Sequence, residues 1–157
     1  MGDGVFDLPT YAKLQGNWSI GSDSHVTRSW QEELRLLEYS QRLMLKQRNV
    51  MASASGHGSS AAALFNVALA GGQAACGLPT GGFAVGQRAD FAVVDTTSTA
   101  LLGVPSSHLL DAMIFSSPDA RLSEVYVAGK RRVQAGQVEN YQSLANEFSH
   151  NMQALWA

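Results

Sequence analysis

The chain changes its hydrophobic period near Gly77, and this switch limits what it can fold into more than any single motif. Before it, apolar residues recur every three to four positions. In residues 29–48, Trp30, Leu34, Leu37 and Met44 share one helical face, and Leu43 and Leu45 widen it. Arg35, Glu38, Arg42 and Lys46 are assigned to the solvated side. After it, Gly77, Pro79, Gly81, Gly82 and Gly86 punctuate the chain, and short runs of strand-forming residues follow. A helical first half and a strand-bearing second half predict an α/β chain with a subdomain boundary near Gly77.

Finer signals fill in this outline. Asp7 and Pro9 start a short helix over 5–16, closed by Gly16-Asn17. Trp18-Ser19-Ile20 reads as a short strand running into the polar turn Gly21-Ser22-Asp23-Ser24-His25. Residues 51–63, rich in Ser, Ala and Gly, read as a mobile loop with the helix restarting at about Ser59 or Ser60. Residues 61–70 are apolar nearly all round and predict a buried helix, broken or kinked at Gly71-Gly72. Farther on, Phe91–Val94 reads as a buried strand and His108–Phe115 as a short helix. Glu124–Ala128 turns through Ala128-Gly129 into Lys130–Val133 as a hairpin. Asn140 caps a last helix with an apolar stripe of Tyr141, Leu144, Ala145, Phe148, Met152 and Leu155.

Composition excludes several classes of function. The 157 residues carry 11 Lys+Arg against 13 Asp+Glu, a net charge of −2, so no polybasic surface is offered to nucleic acid or an anionic membrane. The single Cys76 forms no internal disulfide and no cysteine zinc site. No apolar run is long enough to cross a bilayer, and the first residues lack the pattern of a signal peptide. These features predict a soluble, cytoplasmic chain. Area scaling for 16.8 kDa predicts about 7,700 Å² exposed on folding, with about two-thirds of the unfolded surface buried.

Asp23 is the foremost candidate for chemistry. A carboxylate at the end of a strand can ligate a metal and exchange a proton with water. It can equally make an Asx-turn or cap a following helix. His25, two residues on, would share its face on a strand and suits a hydrogen-bonding role behind a metal ligand better than direct ligation. His57, His108 and His150 read as solvated, and Cys76 as a small core residue. The Arg131-Arg132 pair reads as a charged hairpin edge. The glycines around residue 82 match no dinucleotide or phosphate loop.

The order of segments carries more than any one of them. Gly-Ser-Asp-Ser-His at 21–25 is followed by Glu-Glu-Leu-Arg-Leu-Leu-Glu-Tyr at 32–39, Ala-Leu-Ala-Gly-Gly at 68–72, Gly-Gln-Arg-Ala-Asp-Phe-Ala-Val-Val-Asp at 86–95 and Val-Tyr-Val-Ala-Gly-Lys-Arg-Arg-Val at 125–133. This series resembles the C-terminal part of the amidohydrolase superfamily. The first two segments together resemble, within it, the N-formimidoyl-L-glutamate deiminases.

The resemblance implies the C-terminal portion of a (β/α)8 barrel with the C-terminal share of a small β-sandwich. Residues 1–78 would be the last barrel strand with its flanking helices, 79–138 the sandwich segment, and 139–157 a packing helix. It also implies zinc or another divalent metal in the complete enzyme, with Asp23 as ligand and proton acceptor. The implied reaction hydrolyses the small-molecule substrate N-formimidoyl-L-glutamate to N-formyl-L-glutamate and ammonia. The family's other metal ligands, a His-x-His pair and two further histidines, are missing. A whole barrel takes about 250 residues. The expectation is therefore a fragment: inactive and without cofactor by itself, and prone to form a homo-oligomer. Two alternatives stay open, a guanine- or triazine-type deaminase and a non-catalytic oligomerising module.

Overall fold

The computed structural model describes residues 4–23, 27–78 and 82–157. Four helices, α1 (Leu8–Lys13), α2 (Trp30–Leu45), α3 (Val50–Ser55) and α4 (Ser60–Cys76), fill the first half. The second half holds β1 (Phe91–Val94), a helical stretch containing α5 (Leu109–Asp111), β2 (Leu122–Val127), β3 (Lys130–Gln134), β4 (Gln137–Val138) and the terminal α6 (Tyr141–Trp156). The mixed α/β class follows the sequence expectation, as do α1, α2, β1 and the β2–β3 hairpin.

Local chemistry sets most helix ends. The Asp7 carboxylate accepts from Thr10 N at 3.2 Å, and Pro9 lies in the first turn of α1. Ser29 Oγ caps α2 by accepting from Glu32 N, and Ser59 Oγ caps α4 by accepting from Ala62 N. Gly77, at φ +62°, ends α4 in the left-handed region.

Three readings of the helical half are corrected. Residues 51–63 are not a loop throughout, since Val50–Ser55 is helical. Alanine is the strongest helix former, and a side chain from α2 satisfies the first amides of α3. That side chain is Glu38, which is fully buried and not on a solvated face. Its Oε1 accepts from Val50 N at 2.8 Å and its Oε2 from Met51 N at 3.0 Å, while Arg42 Nε donates to Oε1 at 2.8 Å. Asn49 occupies the cap position at φ +52° but makes no side-chain cap, so the carboxylate from α2 takes that role. Lastly, Gly71-Gly72 does not break α4, which runs on to Cys76. The glycines serve packing: a Cβ on Gly71 would lie 2.0 Å from the Trp18 carbonyl oxygen.

The segment Trp18–Ile20 forms no strand with any described residue. All four described strands lie beyond residue 90 and pair with each other, so this segment has no neighbour to ladder with. It is held on α4 instead, where Ser19 Oγ donates to Ala68 O at 3.0 Å. Cys76 is exposed on the last turn of α4 and is not a core residue.

The sheet is antiparallel in the order β1-β2-β3-β4, with Phe91 opposite Tyr126 and Val125 opposite Val133. Strand β1 is only part-buried, short of the fully buried strand expected. Two Ala-Gly turns build the hairpins: Ala128-Gly129 (φ +51° and +74°) and Ala135-Gly136 (φ +50° and +74°). Positive φ at both centres matches the right-handed twist of the strands they join. Asp90 Oδ1 accepts from Ala128 N and Ala89 O from Gly129 N, tying the first turn to the strand entrance.

One apolar cluster joins Leu8, Leu34, Met51, Leu64 and Ile114; a second joins Leu101, Ala112, Met113 and Ala120, with Trp30 packed against both. Helix α6 buries none of its residues, and Asn140 precedes it at φ +60° without capping it through its side chain. The total exposed area is 10845 Å², well above the roughly 7,700 Å² expected of a compact chain of this mass. Much of the excess is apolar: Leu36, Leu43, Leu69, Phe83, Phe148 and Trp156 are all exposed.

Candidate functional site

Asp23 lies on an exposed turn just after the segment that Gly71 and Ser19 hold against α4. Its φ is +38°, in the left-handed region that Asp and Asn adopt more readily than most residues. On the other flank Thr27 Oγ1 donates to Glu32 Oε2, and Ser29 N donates to Thr27 Oγ1 at 3.3 Å. The described segments on either side of residues 24–26 are thus held to α4 and to the first turn of α2. Trp18 and Ile20 pack against the helical core before it. Sequence pointed to Asp23, and the fold places it in an exposed turn position at the end of the described segment 18–23. His25 falls at 24–26, outside the described residues.

The other candidates lie apart from any shared centre. His57 is exposed, and its Nδ1 accepts from Ser59 N at 3.3 Å. His108 is exposed with its Nδ1 2.9 Å from Ser107 Oγ, and His150 is exposed on α6. Arg131 and Arg132 pair with Glu124 at 3.5 Å and Glu139 at 3.7 Å, as hairpin charges do.

Among the described residues, no three His, Cys, Asp or Glu side chains come together to hold a metal ion. A catalytic divalent metal takes about three protein ligands. The residues described here do not by themselves fit a metal centre.

Sequence reasoning missed the two buried polar residues of α2. Glu38 and Gln41 are both fully buried, and Gln41 Nε2 donates to Phe6 O at 2.6 Å. The signal was present, since both follow Leu34 at spacings of four and seven on one helical face. Beside them the Arg42 guanidinium lies 5.2 Å from the Tyr39 ring and 5.1 Å from the Phe115 ring, linking α2 to the stretch that follows α5.

A sequence model described as "Amidohydrolase family" matches residues 3–132. The chain belongs to the amidohydrolase family. Over 148 residues it is 38% identical to the formimidoylglutamate deiminase of Pseudomonas aeruginosa, an alignment covering 94% of this chain and 32% of that protein. The crystal structure of an amidohydrolase from Brucella melitensis superposes with a TM-score of 0.87 at 36% identity, covering 99% of this chain and 34% of that one. This amidohydrolase chain thus spans about a third of the length of these relatives. No described helix is long and apolar enough to cross a membrane.

Proposed function

We propose that this chain is the C-terminal third of a metal-dependent amidohydrolase that hydrolyses the C–N imine of N-formimidoyl-L-glutamate in histidine degradation. The 38% identity to a formimidoylglutamate deiminase across nearly the whole chain carries the reading. In this proposal residues 1–78 supply the last strand of a (β/α)8 barrel and its helices, 79–138 a β-sandwich segment, and 139–157 a packing helix. Three observations support a larger body. Exposed area exceeds that of a compact chain. Segment 18–20 lacks a strand neighbour among the described residues. The buried Trp18 indole N–H has no acceptor among the described residues.

Zinc or another divalent metal would belong to the assembled enzyme, with most ligands from elsewhere. The part assigned to this chain is the Asp23 carboxylate. In the proposed reaction a water oxygen adds to the imine carbon, and Asp23 takes the water's proton at a carboxylate oxygen. That proton passes to the imine nitrogen; the water's second proton, now on the hydroxyl of the tetrahedral adduct, then moves to the same nitrogen as the C=O bond forms and the C–N bond breaks, releasing ammonia and N-formyl-L-glutamate. His25 is assigned to holding this carboxylate in place by hydrogen bonding.

The test is substrate choice by an enzyme assembled from this chain and the remaining two-thirds of the Pseudomonas aeruginosa relative. Ammonia release from N-formimidoyl-L-glutamate, with none from guanine or an aminotriazine, is the expected result. Turnover of guanine or the triazine instead would replace the substrate assignment.

A further inference from the structure

The first turn of α2 holds more than its own helix. Ser29-Trp30-Gln31-Glu32 has the sequence of a capping box. In that motif the serine hydroxyl takes the glutamate amide, and the glutamate carboxylate reaches back to the serine amide. The first half is present, since Ser29 Oγ accepts from Glu32 N at 3.3 Å. The second half is routed through a residue outside the helix. Ser29 N donates to Thr27 Oγ1 at 3.3 Å, and the Thr27 hydroxyl donates to Glu32 Oε2. Glu32 Oε1 lies 3.5 Å from the Arg35 guanidinium, which orients the carboxylate.

A cap by itself needs nothing upstream of Ser29. Passing the bond through Thr27 pins the backbone two residues before the cap. The helix end that does the pinning is fixed in turn. Trp30 packs against both apolar clusters, and its ring centre lies 5.5 Å from that of Phe65 on α4. On the near side of Asp23, α4 also holds the chain, through Ser19 Oγ on Ala68 O and the close approach of Trp18 O to Gly71. Only residues 21–26 separate the two holds. So short a link has few arrangements open to it while both ends are fixed, and many more once one is released. From Asp23 to Thr27 the chain reaches at most about 14 Å.

We propose that Thr27 and Glu32 are positioning residues for Asp23: the Thr27 hydroxyl, held by the Glu32 carboxylate, fixes the chain beyond Asp23 on α2 and so limits where the Asp23 carboxylate can stand. This rests on the role proposed for Asp23. Neither residue touches substrate. Their part is geometric, because proton transfer falls off steeply when the acceptor is misplaced by about an ångström.

Kinetics of the enzyme assembled from this chain and the remaining two-thirds of the Pseudomonas aeruginosa relative test this. The substrate is whichever of N-formimidoyl-L-glutamate, guanine or an aminotriazine the wild type turns over. Thr27→Val removes the hydroxyl and keeps the branched shape. Its kcat should fall by ~10–100-fold, as when a group that orients a ligand is lost. KM should hold, because the proton acceptor moves and the substrate contacts do not. Thr27→Ser restores the hydroxyl and should recover most of kcat. Glu32→Ala should match Thr27→Val, whereas Glu32→Gln keeps an oxygen that accepts and should recover most of the loss. The double variant Thr27→Val/Glu32→Ala should be no slower than either single one, as expected of two partners in one contact. A role confined to capping α2 would move stability, read by urea unfolding, and leave kcat alone. Normal kcat in Thr27→Val, no recovery in Thr27→Ser, or additive losses in the double variant overturn the inference. Asp23→Asn measured alongside separates the two readings. If it is crippled while Thr27→Val is normal, only the positioning role falls. If it is near normal, the proton-acceptor role falls and takes the positioning role with it.

Discussion

Replacing Gly71 by Ala tests whether a helix interior is tuned for the turn it supports. On helix propensity alone, Gly71→Ala should stabilise α4 by about 1 kcal/mol. The structure reverses that sign. The new Cβ would lie 2.0 Å from Trp18 O and 2.5 Å from Trp18 C, backbone atoms that cannot rotate away. Ordinary contact needs more than an ångström of extra room, so the 18–23 segment or α4 must shift. Overpacking of this kind costs ~1–3 kcal/mol, leaving net destabilisation of up to about 2 kcal/mol. Gly72→Ala is the control. Its Cβ would meet only Ser19 Oγ at 3.1 Å, the end of a side chain that can turn aside, so its net change should be near zero or stabilising. Urea unfolding followed by circular dichroism separates the two. In the assembled enzyme, Gly71→Ala should also displace Asp23 and lower kcat by about 10²-fold, the scale of an ångström misplacement. A Gly71→Ala chain as stable as Gly72→Ala would refute the close-approach argument.

Glu38→Ala removes the acceptor for Val50 N and Met51 N and the partner of Arg42, so stability should fall by about 2–5 kcal/mol in urea unfolding and protection of the α3 amides from hydrogen exchange should vanish. Asp95 is held below its ordinary value of 3.8, chiefly by the Thr97 hydroxyl donating to it at 2.7 Å and then by Thr97 N. A depressed carboxyl stabilises the fold above its unfolded value, and that contribution fades as pH falls through the lowered one. Thr97→Val should raise the Asp95 value toward 3.8, read by NMR titration of its carboxyl carbon.

Much of the fold was legible because local signals and packing agree there. Asp7 with Pro9 and Ala128-Gly129 each fix a boundary through a bond or dihedral close in sequence. The signal at Ala128-Gly129 recurs at Ala135-Gly136 and marks the second hairpin, which went unread. What could not be read depended on distant partners. Helix α3 exists partly because Glu38, twelve residues away, caps it, and Gly71-Gly72 continues a helix because Trp18 needs the space. Segment 18–20 has strand composition, but a strand is defined by its neighbour. For the candidate site, Asp23 was visible from its turn and from the order of segments around it. The ligands that would complete a metal centre are not in this sequence, so no reading of it could assemble the site.

The most direct test of the role proposed for Asp23 is Asp23→Asn in the enzyme assembled from this chain and the remaining two-thirds of the Pseudomonas aeruginosa relative. Asn tolerates the same left-handed turn, at φ +38°, and makes the same kinds of turn and cap, so the fold should hold. It lacks the charge and the basic oxygen. Ammonia release from N-formimidoyl-L-glutamate should fall by about 10²–10⁴-fold in kcat, with weaker metal retention. His25→Gln, acting through the carboxylate, should cost only ~10–100-fold with metal kept. Near-normal kcat with full metal in Asp23→Asn would contradict the assignment and leave Asp23 a turn residue.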